Sequence, residues 1–192
     1  ITSISLIKQK KALLYINKNE YDDNDRCKCR MNMMKYIEDV ENEKCKIKGK
    51  NIELGFLIKN AIDILNSNSY YESERKLLIE LWKSNSKNTK YLENILPIID
   101  ISDSMDSENK QALYNAIGLG IRIAEKSRLG KRLIAFNNKP YWINMEDSKD
   151  YMDMVKKIKN IPWGLNADFY RAIDMIIDTI IENNIPADDI EN

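Results

Sequence analysis

The sequence predicts an α/β layered fold over residues 91 to 192, preceded by a helical region over residues 1 to 90. Three observations carry this reading. Ile98-Ile99-Asp100-Ile101 is short, apolar and β-branched, as expected of a central parallel strand covered on both faces. A long amphipathic pattern follows it directly, and two more apolar runs then flank the turn Asn137-Asn138-Lys139-Pro140. Upstream of Pro97 the clearest periodicity is helical.

Along the chain, Ala12-Leu13-Leu14-Tyr15-Ile16 reads equally as a strand or a helix turn, and Tyr21 to Asp25 reads as a polar loop. Met33, Met34, Ile37 and Val40 recur at helical spacing, with Met31 also read as packing, and a Lys-rich turn at Gly49 ends that helix. Phe56, Leu57, Ala61, Ile62, Ile64 and Leu65 predict a second helix, and Leu77, Leu78, Leu81 and Trp82 a third. After the strand at Ile98, Ser107 is placed to cap a helix that runs to about Ser127. Gly118 and Gly120 cost that helix roughly 1 kcal/mol each relative to alanine, which points to close helix-to-sheet approach. Arg132 to Phe136 and Tyr141 to Ile143 form a predicted hairpin. Tyr151, Met154, Val155 and Ile158 mark another helix, broken at Ile161-Pro162-Trp163-Gly164. The last helix is lined by Phe169, Ala172, Ile173, Ile176, Ile177, Ile180 and Ile181, with Asn166 or Asp168 as its cap. A further parallel strand is expected next, so the layered sheet reads as incomplete at its C-terminus.

The chemistry concentrates at Asp100-Ile101-Ser102-Asp103-Ser104. Side chains on an extended segment alternate, so Asp100, Ser102 and Ser104 point the same way at the end of the strand, where open α/β sheets bind ligands. One carboxylate and two hydroxyls are hard oxygen ligands suited to Mg²⁺ or Mn²⁺. They cancel only half of a divalent charge, which leaves the ion able to accept an acidic group from a partner. The same spacing also serves a loop whose aspartate and serines merely cap the following helix.

Leu96 to Met105 resembles the first metal motif of von Willebrand factor type A domains, the metal-ion-dependent adhesion site, in which a strand ends in an aspartate and two serines and a helix follows. Trp82, Gly118-Leu119-Gly120, Ile134-Ala135-Phe136 and Ile161 to Phe169 resemble a narrower, uncharacterised family that joins a TROVE-like helical region to such a domain. Tyr36 to Val40 and Lys46 to Gly49 resemble its helical part. Members occur in eukaryotes and large DNA viruses. The resemblance implies a Rossmann-like sheet and a metal site of Asp100, Ser102 and Ser104. Asp103, Asn166 and Asp168 are then the residues expected to face a partner. It also implies a degenerate site, because Ala167 stands where the family has a threonine and the third motif would lie beyond Asn192. Asn166 or Asp168 could substitute, or Asp168 could serve only as a helix cap. Weak, about millimolar, occupancy by Mg²⁺ or Mn²⁺ is the expectation.

Composition narrows the functional classes. The chain has no histidine, which excludes Ser-His-Asp and Cys-His catalysis and His-containing zinc sites. Ser102 stands where an aspartyl phosphotransfer site favours a second carboxylate, and no P-loop is present, so the chain is read as not an enzyme. Cys27, Cys29 and Cys45 read as reduced thiols, since their spacing is not that of a zinc site. Trp142 and Trp163 read as core or cleft residues rather than base-stacking platforms. No run of roughly 18 apolar residues or secretory signal is seen, so an intracellular protein is expected, cytoplasmic or, if viral, virion-borne. Residues 1–90 carry 18 basic and 13 acidic side chains and residues 91–192 carry 12 and 17, a balance of +5 against −5. The expected role is a binding or structural module that assembles with a protein partner. The alternative is an RNA-binding or ribonucleoprotein component using the basic residues from Arg26 to Lys50.

Overall fold

The computed structural model describes residues 3–14, 24–67, 72–87 and 89–186. The chain divides into two compact units, Ile1–Glu53 with Asn60–Thr89, and Leu54–Lys59 with Lys90–Asn192.

The first unit is helical. It contains α1 (Ser3–Leu13), α2 (Asn24–Glu41), the part of α3 (Leu54–Asn66) from Asn60 onward, and α4 (Glu72–Ser86). Apolar residues at helical spacing build its core: Leu6 and Ile7 from α1, Met33, Ile37 and Val40 from α2, and Leu77, Leu78, Leu81 and Trp82 from α4. One open reading is decided and two details differ from the sequence reading. Ala12 and Leu13 belong to a helix, while Tyr15 and Ile16 lie outside the described residues. Asn24 and Asp25 open α2 instead of lying in a loop, and Tyr21 to Asp23 are outside the described residues. Met31 and Met34 are 61% and 43% exposed, so of the three methionines only Met33 packs inward. The Lys-rich turn is tied down rather than loose. Ser84 Oγ on α4 accepts from Gly49 N (3.0 Å) and donates to the Ile47 carbonyl (2.7 Å), and Asn85 Nδ2 donates to the Ile52 carbonyl (3.0 Å).

The second unit is a mixed α/β layer. Strand β1 (Ile98–Asp100) leads through a short 3-10 turn (Asp103–Asp106) into α5 (Ser107–Lys126), followed by β2 (Arg132–Phe136), β3 (Pro140–Asn144), α6 (Tyr151–Lys159) and α7 (Phe169–Glu182). The sheet order is β1-β2-β3, with β1 parallel to β2 and β3 antiparallel to it. Thus β2 is the middle strand and β1 stands at the end of the order among the described residues, not at its centre. Register puts Ile98 opposite Ile134 and Asp100 opposite Phe136, so these residues share one face. On that face Ile134 and Phe136 form a buried cluster with Ala172 of α7, with Ile98 and Ile176 packed against it. On the opposite face Gly120 of α5 lies against Ile99 and Leu133, while Gly118 lies against Leu54 and Ile58 of α3. The two glycines therefore serve different neighbours, one the sheet and one a helix.

Helix ends follow the capping rule in part. Asp150 caps α6, accepting from Met152 N (2.8 Å) and Asp153 N (3.1 Å). At α5 the N-cap is Asp106 rather than Ser107, and its side chain makes no capping bond. Trp142 is 43% exposed, against the expectation of a packed residue, whereas half-buried Trp163 donates its indole N–H to the Ile158 carbonyl (3.0 Å). The three cysteines are free thiols. No helix among the described residues is long and apolar enough to cross a membrane.

Candidate metal centre

Three loops meet where β1 ends. Ile101, fully buried, continues the ladder by donating to the Phe136 carbonyl (2.8 Å), which fixes the direction in which the chain leaves the sheet. Just before it, Asp100 Oδ1 accepts from Ser102 N (2.8 Å), an Asx-type bond that folds the carboxylate back over the loop. Ser102 is only 2% exposed, and its Oγ lies 2.8 Å from Ser104 Oγ. The structure thus pairs the two serine hydroxyls and ties the Asp100 carboxylate to the backbone of the same loop.

The second loop is clipped to the first by two backbone bonds. Gly164 N donates to the Ile101 carbonyl (2.9 Å) and Asp103 N donates to the Leu165 carbonyl (2.9 Å). Gly164 has φ +96°, and a Cβ there would lie 2.7 Å from Asp103 Oδ1, so glycine is required both for backbone and for space. Leu165 also adopts a left-handed φ of 67°, uncommon for a residue with a side chain.

Asn137, in the turn between β2 and β3, ties the third loop in. It is fully buried, and its Nδ2 donates to the Pro162 carbonyl (2.8 Å) while its Oδ1 accepts from Lys139 N (3.1 Å). Its own carbonyl accepts from Asp168 N (2.8 Å). Sequence reasoning treated Asn137 only as a turn residue. The available signal was an asparagine immediately after an apolar strand on the ligand-binding side of the sheet. Asn137→Ala is expected to lower stability by about 1–3 kcal/mol, because it leaves the Pro162 carbonyl and Lys139 N–H without their partner. Urea unfolding measures this, and an unchanged midpoint would refute the organising role.

The remaining predicted residues differ in their surroundings. Asp103 is exposed, with its carboxylate against Gly164. Asn166 and Ala167 are exposed on the second loop. Asp168 is committed to α7: Oδ1 accepts from Arg171 N (3.3 Å) and Oδ2 pairs with Arg171 Nε (3.1 Å), so the cap reading describes it. Arg171 Nη1 also donates to the Asn138 carbonyl (3.1 Å).

The oxygen group can be tested against a small hard cation. In an octahedron with bonds of about 2.0–2.1 Å, adjacent ligand oxygens are about 2.9 Å apart. The 2.8 Å separation of the two serine oxygens fits one edge of it, with Asp100 as the charged ligand. The same separation is an ordinary hydroxyl–hydroxyl hydrogen bond. Among the described residues no three acidic or thiol side chains cluster as a metal-binding group, so an ion at this position would be held by fewer than three such side chains together with neutral oxygens.

No curated protein and no solved structure matches the chain. A family model described as a domain of unknown function, DUF7788, matches residues 94–191, which spans β1, the D-x-S-x-S loop and every element after it. The chain belongs to the DUF7788 family.

Proposed function

We propose that this chain is a non-catalytic binding module of the von Willebrand type A kind, in which Asp100, Ser102 and Ser104 hold Mg²⁺ or Mn²⁺ weakly and offer it to an acidic group of a protein partner. The observation that supports this reading is the close pairing of Ser102 Oγ and Ser104 Oγ (2.8 Å) on the loop whose backbone the Asp100 carboxylate binds, at the end of a parallel strand and ahead of a helix. A carboxylate and two hydroxyls satisfy about half the coordination of a divalent ion and leave it a net positive charge, so the ion attracts anionic ligands and does not require a protein base or nucleophile. The absence of histidine anywhere in the sequence agrees with a binding role.

The test is direct titration with Mn²⁺, followed by electron paramagnetic resonance. We expect one site of about millimolar affinity. Asp100→Asn removes the only charged ligand and should weaken it tenfold or more, while Asp168→Asn, at a residue engaged with Arg171, should leave it unchanged. Equal Mn²⁺ binding by the parent and Asp100→Asn would refute the metal centre.

A further inference from the structure

Two exposed amphipathic helix faces of opposite charge are not used by the reading above. The first is the start of α2, where every residue from Asn24 to Asn32 is exposed. Cys27, Met31 and Met34 follow at i, i+4 and i+7, so they form one apolar stripe about 10 Å long. At 100° per residue, Arg26 and Arg30 run along one side of the stripe, and Lys28 and Lys35 along the other. Lys28 Nζ lies 4.0 Å from exposed Asp25, a loose surface contact. One turn beyond Met34, Glu38 ends the stripe.

The second face is on α7. Tyr170, Ile177 and Ile181 are 82%, 47% and 66% exposed and share one side of that helix. Asp174, Asp178 and Glu182, all exposed at i, i+4 and i+8, form an acidic row about 12 Å long beside them. Arg171, the basic residue of α7, is already held by Asp168 and the Asn138 carbonyl. Exposed isoleucines in a row on a helix of a folded unit form an apolar patch suited to docking.

We infer that the occupant is a second copy of this chain, the α2 stripe of one copy docking on the α7 stripe of the next, with its lysines and arginines against the acidic row. Four features agree. The α2 stripe, about 10 Å long, fits within the α7 stripe of about 16 Å and matches the acidic row of about 12 Å. Their flanking charges are opposite, which sets register and suppresses like-with-like pairing. Methionine side chains adapt to an irregular apolar surface such as Tyr170 and Ile177. The +5 and −5 halves of a chain with zero net charge favour association between copies. Because the two faces differ, the contact is heterologous.

Sedimentation velocity on the full chain tests this. At low salt the mass rises above 22.5 kDa with concentration, and added salt reverses it. Lys28→Glu with Arg30→Glu, or Asp174→Lys with Asp178→Lys, each weakens association about tenfold or more. The chain carrying all four reversals recovers it, because the charges again complement. These positions are exposed, so unchanged thermal unfolding of each variant verifies folding. A chain monomeric at every concentration would overturn the inference, as would insensitivity to either pair of reversals or failure of the fourfold variant to recover. It would also be overturned if the α2 reversal instead abolished binding of single-stranded RNA to a monomeric parent.

Discussion

Lys10→Met is expected to destabilise the helical unit by about 3–5 kcal/mol in urea unfolding, and Lys10→Met combined with Glu74→Leu to recover most of that loss. Lys10 and Glu74 are 6% and 4% exposed, and their charged atoms meet at 2.5 Å. Lys10 Nζ also donates to Asn60 Oδ1 (3.0 Å), so α1 is tied to both α3 and α4 through one ammonium group. Removing the lysine alone leaves a carboxylate buried without its cation, and the desolvation cost of that carboxylate dominates the effect. Removing both charges replaces a costly pair with apolar contacts among Leu6, Ile7 and Leu77, which are already buried. The double variant is the deciding one, since the single variant could lose the unit altogether. If the double variant is as unstable as the single, the pair is not the source of the effect.

The pair also shows what the sequence could not reveal. Lys8-Gln9-Lys10-Lys11 reads as a solvated basic turn, and Glu74 sits in an acidic first turn of α4 that looks equally surface-bound. Their burial arises from a contact 64 positions apart, which no local pattern encodes. Helical periodicity, by contrast, located α2, α3, α4, α6 and α7, because one apolar face is a local property. It does not say what that face meets. The isoleucines of α7 illustrate the gap: all were read as lining residues, yet only Ala172 of the helix is buried, and Ile177 and Ile181 face outward. Met31 and Met34 fail in the same way on α2.

The candidate metal centre divides along the same line. Asp100, Ser102 and Ser104 were legible from their local spacing, although not through the alternation that the spacing suggested: the strand ends at Asp100, Ser102 lies in a bend and Ser104 in the 3-10 turn, and it is this turn that pairs the two serine oxygens. Asn137 and Gly164 were not, because each acts through backbone groups of a distant loop. Asp168 was left between ligand and cap, and its bonds to Arg171 select the cap.

Gly120→Val is expected to lower stability by about 1–3 kcal/mol or more and to disturb the oxygen group at the same time. A Cβ at residue 120 would stand 2.7 Å from Ile99 Cγ2, closer than two carbons tolerate, and 3.7 Å from Leu133 Cδ2, which is ordinary contact. The strain therefore falls on Ile99 alone. Ile99 is the residue before Asp100, and β1 is held laterally by β2 on one side among the described residues, so displacement of Ile99 is transmitted to the carboxylate. Ile99→Ala by itself should cost about 2–5 kcal/mol as a cavity. Combined, the two changes should cost less than their sum, by about 1–3 kcal/mol, because the new methyl groups occupy the space vacated. Mn²⁺ affinity should fall in Gly120→Val and return towards the parent value in the double variant. Gly118→Val provides the contrast: its clash is with Leu54 Cβ at 2.7 Å on α3, so it should lose stability without a comparable change in Mn²⁺ affinity. Strict additivity of Gly120→Val and Ile99→Ala would mean that α5 does not set the position of β1. Equal loss of Mn²⁺ binding in the Gly118 variant would mean that the metal centre responds to global destabilisation rather than to this contact.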